Sequence, residues 1–164
     1  MEEEFYISLP KQNKDQSVAA LIRHALAAIK LGNIAQKDIA VEHFYLVSPY
    51  VEDDGLSIYA KYAPIDQEGI ERRESNLKLR GKHVDTEPVE PIVFAENHHT
   101  GMVINSFVQR LPLHDEQGNA IKLLREAANT LERLGDIQVK DLILHDFLDE
   151  DGLEHPYVSV HYSS

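Results

Sequence analysis

The chain of 164 residues contains no cysteine and no tryptophan. The missing cysteine excludes disulfides, thiolate nucleophiles and cysteine-ligated zinc or iron–sulfur centres together. Positive charge is scarce as well. Sixteen Lys and Arg stand against 28 Asp and Glu, a formal net charge of −12. Nucleic-acid affinity rests largely on Lys and Arg neutralising phosphates, so no nucleic-acid ligand is expected. No apolar run approaches the ~18 residues that span a bilayer, so no membrane association is expected either. The chain opens Met1-Glu2-Glu3-Glu4, acids where a secretory leader carries basic residues and then an apolar stretch. A cytoplasmic location is the expectation that follows.

Signature motifs are absent too. There is no P-loop glycine run, no dinucleotide Gly-x-Gly-x-x-Gly, no Gly-x-Ser-x-Gly elbow and no His-Glu-x-x-His. The common nucleotide, acyl-transfer and zinc-hydrolase classes are thereby removed, and no cofactor is implied.

What is present is a globular composition, 43% hydrophobic and 27% charged, arranged in two similar stretches. Phe5-Tyr-Ile-Ser-Leu9-Pro10 lines up with Phe107-Val-Gln-Arg-Leu111-Pro112. Leu21-Ile22-Arg23 falls on Leu123-Leu124-Arg125, Ala25 on Ala127 and Ile29 on Leu131. Further along, Gly32 matches Gly135, Lys37-Asp38-Ile39 matches Lys140-Asp141-Leu142, and Phe44 matches Phe147. Asp53-Asp54-Gly55-Leu56 meets Glu150-Asp151-Gly152-Leu153, and Ile58 to Tyr62 sits opposite Val158 to Tyr162.

Periodicity turns these blocks into elements. Phe5 to Leu9 is a short strand stopped by Pro10. Val18, Leu21, Ile22, Ala25 and Ile29 share one helical face, as do Leu123, Leu124, Ala127, Leu131 and Leu134. Asp15 or Ser17 caps the first helix and Asn119 the second, with Gly32 and Gly135 at the C-terminal ends. Ile39–Val47 and Leu142–Leu148 are strands that return through Asp-Gly turns as Leu56–Tyr62 and Tyr157–Tyr162. Between the copies, Asn76–Val84 and Pro91–Glu96 offer one or two extra strands.

The expected fold class is therefore α+β. Internally duplicated β-α-β-β units form a pseudo-dimeric, antiparallel-rich sheet with two helices on one face, a closed or half-closed barrel being the alternative. Residues 1–62 make the first unit, 63–106 a connecting segment and 107–164 the second unit, all in one compact domain. The chain is expected as a monomer or homodimer.

Charge divides the copies. Residues 5–62 hold six basic and six acidic residues, whereas 107–164 hold five basic and eleven acidic. The excess gathers in Asp146, Asp149, Glu150, Asp151 and Glu154 around the second hairpin, with Asp53 and Asp54 at the first. Such an acidic ridge suits docking on a basic protein surface. The run at Asp149-Glu150-Asp151-Gly152 lacks the ligand register of an EF-hand loop.

Histidines supply the candidates for chemistry. His98-His99 with Glu96 nearby is the densest cluster and the candidate metal set. Neighbours on a strand point to opposite faces, so both histidines reach one ion only across a turn. His43 aligned with Asp146, and Glu42 with His145, would place a His–acid pair on each middle strand. His114-Asp115 reads as a polar loop. Arg72-Arg73, Lys78, Arg80 and Lys82 read as a solvated face, with Arg73 or Arg80 candidates for a small anion.

The paired layout is similar to the vicinal-oxygen-chelate superfamily, whose β-α-β-β-β modules enclose a metal held by His, Glu or Gln. Ser8 and Gln109 occupy the comparable first-strand positions, and no ligand is carried over. The resulting expectation is a small acidic intracellular protein-binding module, an inhibitor or antitoxin-like partner of a basic protein. The alternatives are a metal-dependent or small-molecule enzyme using a cleft between the repeats, and a ligand-sensing or structural domain.

Overall fold

In the computed structural model the described residues are 2–47, 55–71, 74, 92–97, 103–111, 120–145 and 156–163, with 92–97 and 103–104 described as backbone. The elements run β1 (Glu3–Ser8), α1 (Val18–Ala28), β2 (Ile39–Val47), β3 (Ser57–Pro64), β4 (Ile92–Asn97), β5 (Val103–Arg110), α2 (Ala120–Leu134), β6 (Gln138–His145) and β7 (Tyr157–Ser163). A short helical segment at 67–71, which periodicity did not suggest, follows β3.

Local chemistry starts and stops the helices. The Ser17 hydroxyl accepts the Ala20 N–H at 3.1 Å, satisfying one orphan donor of α1. Asp15 in turn accepts the Ser17 N–H at 2.9 Å, and this hydrogen bonding holds its carboxyl below the ordinary range. Helix α1 ends where Ile29 turns extended and is wholly buried, its N–H reaching the Leu26 carbonyl at 3.3 Å. Gly32 is therefore not the helix cap. It lies beyond the cap in a tight turn, with φ +54° and the Ile34 N–H on the Leu31 carbonyl at 2.9 Å. Gly135 does follow α2 directly, at φ +81°, a conformation that favours glycine.

The fold is α+β, with an open antiparallel sheet in the order β1-β3-β2-β6-β7-β5-β4. β2 and β3 pair as neighbours, as do β6 and β7, and β2 meets β6 where Tyr45 stands opposite Ile143. The Pro91–Glu96 strand is present as β4, paired antiparallel with β5. Asn76–Val84 lies outside the described residues. β5 begins at Val103, ahead of the boundary expected at 107.

One hydrophobic cluster joins both helices to one face of the sheet. Ile22 and Ala25 of α1, Leu123, Leu124 and Ala127 of α2, and Phe44, Ile58, Phe107, Leu142, Val158 and Val160 of the strands are wholly buried. Each large aliphatic side chain so removed from water contributes roughly 1.5–3 kcal/mol before entropy is charged against it. A polar pair sits within this layer: the Thr130 hydroxyl donates to the Gln109 side-chain carbonyl at 2.6 Å, both residues being 5% exposed.

The register shows what each middle strand faces. Phe44 lies opposite Ala60, and Leu142 opposite Val160. Both strands carry an irregularity at the same place, between Val41 and His43 in β2 and between Val139 and Asp141 in β6. Val41 stands opposite Tyr62, and Val139 opposite Tyr162. His43 stands opposite Lys61, and Asp141 opposite His161. The Lys-Asp-aliphatic match joins unlike places: Lys37-Asp38 lies in a helical turn over Gln36–Asp38 ahead of β2, whereas Lys140-Asp141 lies inside β6.

Candidate functional site

The sheet has a second face. Side chains alternate across a strand, so residues between the core positions must point away from the helices. In β1, β2 and β3 these positions hold tyrosine: Phe5-Tyr6-Ile7, Phe44-Tyr45-Leu46 and Ile58-Tyr59-Ala60. The register aligns them in one row, Tyr6 opposite Tyr59 and Tyr59 opposite Tyr45. The row continues through Ile143, Ser159 and Val108. Both α1 and α2 pack on the opposite, core face.

The rings form a contiguous strip. Tyr6 and Tyr59 have centroids 4.8 Å apart, and Tyr45 and Tyr59 5.1 Å apart, both tilted. Tyr6, on the edge strand, is 68% exposed, the most exposed large hydrophobic side chain among the described residues. Acids border the strip. The Tyr59 hydroxyl donates to Glu4 at 2.5 Å, which with partial desolvation pushes its pKa up to about 12. Lys61 lies opposite Glu4 and pairs with Glu2 at 3.4 Å and with Glu42 at 3.9 Å. Two carboxylates therefore share one ammonium, and a third, Glu4, holds the phenol on the neighbouring position.

The β6–β7 half of the face is polar. A hydrogen bond of 2.9 Å joins His145 Nε2 and Ser159 Oγ, and the imidazole stacks on Tyr157 at 4.6 Å. His161 Nδ1 approaches Asp141 at 3.8 Å, and this buried nitrogen has no hydrogen-bond partner among the described residues. Ser159 and His145 resemble a nucleophile and base, but no carboxylate among the described residues completes them into a triad. No group of three or more His, Asp or Glu among the described residues is placed to hold a metal.

Several sequence candidates fall elsewhere. Asp53, Asp54, Asp146, Asp149, Glu150, Asp151 and Glu154 lie outside the described residues, as do His98, His99, His114 and Asp115. The basic group at Arg72, Arg73, Lys78, Arg80 and Lys82 lies outside them too. Glu96 is placed by its backbone in β4, opposite Ile104. His43 stands opposite Lys61 and His145 opposite Tyr157. Ser8 faces the open side, whereas Gln109 is buried beneath α2, so these two first-strand positions do not converge on one ligand. The tyrosine strip was overlooked although its signal is plain: each ring sits between two core residues, and period two turns it outward.

Comparison of the chain with family models, with curated proteins and with solved structures gives no match. No helix among the described residues is long and apolar enough to cross a membrane.

Proposed function

We propose that this chain is a small acidic protein-binding module, an inhibitor- or antitoxin-like partner of a basic protein. The observation that carries the reading is the open sheet face, a tyrosine strip with Tyr6 exposed and Tyr45 and Tyr59 half-buried, bordered by carboxylates on a chain of net charge −12. Tyrosine brings large apolar area with a polar tip at low conformational cost, which is why interfaces are rich in it. Long-range attraction by the net charge would accelerate encounter with a cationic partner.

The reading includes an internally duplicated, pseudo-dimeric origin. It is supported by the matching bulges in β2 and β6, by Phe5 and Phe107 lying opposite the corresponding residues Ala60 and Val160, and by the shared strand order within each half. Duplicated halves can diverge. The β1–β3 half carries the aromatic strip, while the other half carries the acidic run at Asp149, Glu150 and Asp151.

The test is affinity capture from native extract at low and then moderate salt. One basic protein should be retained in stoichiometric amount and released as salt rises. Substituting Asp149→Lys, Glu150→Lys and Asp151→Lys together should abolish its capture. Unchanged capture by that variant would remove the acidic hairpin from the interface. A partner indifferent to salt would overturn the electrostatic reading.

A further inference from the structure

We infer that the Tyr6–Tyr59–Glu4 corner of the open sheet face is a binding site for an arginine side chain of the partner. The inference rests on the protein-binding reading above and names the group that its aromatic strip would hold.

Tyr6 stands on the edge strand, supported by Tyr59 on one side and otherwise largely in solvent. An aromatic ring presents negative potential on its face, and a cation settles there. Glu4 follows the same side of β1 two residues away, so a carboxylate adjoins the ring. Its hydrogen bond from Tyr59 fixes that carboxylate while leaving further lone pairs to accept. Lys61 is already occupied by Glu2 and Glu42. Among the described residues, Lys61 with Glu2, Glu4 and Glu42 sums to two negative charges.

Arginine fits this corner better than lysine. Its guanidinium is planar, stacks flat on a ring and meets a carboxylate with two parallel donors, whereas an ammonium is a compact, strongly hydrated point charge. A single-stranded nucleic acid would also stack on tyrosines, but its phosphates would meet the three carboxylates and the net charge of −12. The same net charge opposes packing of this face on a second copy.

The experiment titrates hexa-arginine, and separately hexa-lysine, into the full chain by calorimetry and proton NMR. Hexa-arginine should bind more tightly, with its δ-methylene protons shifted upfield by the ring current of Tyr6. Tyr6→Leu should weaken hexa-arginine about three- to tenfold, and Tyr6→Phe should leave it nearly unchanged, as a face-on cation requires. Glu4→Gln should cost about two- to fivefold, the range of an exposed ion pair. Tyr6 is exposed, so these variants keep the fold, which amide NMR spectra would verify.

If both peptides bind equally and only the Asp149, Glu150 and Asp151 reversal weakens them, the arginine site is wrong while the acidic binding module stands. If neither peptide binds, both readings fail. If the chain dimerises through this face and Tyr6→Leu dissolves the dimer without changing hexa-arginine affinity, the occupant is a second copy and the arginine site is overturned.

Discussion

Tyr59 carries the clearest single-residue signature. Its hydroxyl donates to the Glu4 carboxylate, and ionising it would place two anions together, so the phenol is held up to about 12. In the unfolded chain the phenol returns to its ordinary value near 10. Between those two values the folded state keeps a proton that the unfolded state has lost. The stability due to this bond is therefore fully present below about pH 10 and is lost as pH rises through about 12. Spectrophotometric titration of the phenolates should show one tyrosine ionising late, and Tyr62, raised chiefly by burial, should also lag. Glu4→Gln should bring the latest phenol back towards 10. A variant titrating like the native chain would show that Glu4 is not the cause.

At the scale of elements, the start of α1 depends on one hydroxyl. Ser17→Ala removes the side-chain acceptor for the Ala20 N–H and leaves Asp15 still holding the backbone of the cap residue. A loss of about 1 kcal/mol is expected in urea unfolding, within the usual range for lost N-caps. No measurable loss would mean that water caps the helix as well. This cap was legible in the sequence because a Ser ahead of an apolar periodic run has a local cause. The helices, the hairpin pairings and β4 were legible for the same reason: apolar spacing and turn residues act over a few positions. The sheet order was not, because β2 meeting β6 is a contact between distant segments that no local pattern encodes. The Lys-Asp-aliphatic match between the two stretches was not a guide to register, because its Lys-Asp pair stands in a turn ahead of β2 in one stretch and inside β6 in the other. Of the candidate site, the period-two alternation placed Tyr6, Tyr45 and Tyr59 outward, but only the register across three strands brings their rings together.

For the whole molecule, the question is whether one unit could stand alone. The two helices pack on each other, and the buried residues of both halves form one cluster. Arg23 of α1 reaches Asn129 at 2.9 Å and Glu132 at 2.7 Å on α2, an exposed bridge that orients more than it stabilises. Cutting the chain after Tyr62 would strip α1 of its helical neighbour and leave β2 as an edge strand. A unit of about 60 residues buries only ~60% of its unfolded surface and has little stability to lose. The isolated segment 1–62 is therefore expected to have no folded monomer. If the two halves descend from one pairing unit, the segment should recover its core by binding a second copy, α1 on α1 and β2 beside β2. Its thermal midpoint, followed by circular dichroism, should then rise with concentration, as mass action requires of an obligate dimer. A cooperative transition independent of concentration would show a self-sufficient unit and end the argument that the halves need each other. A segment unfolded at every concentration would keep the shared core but deny the pseudo-dimeric symmetry, because equivalent surfaces would have failed to replace one another.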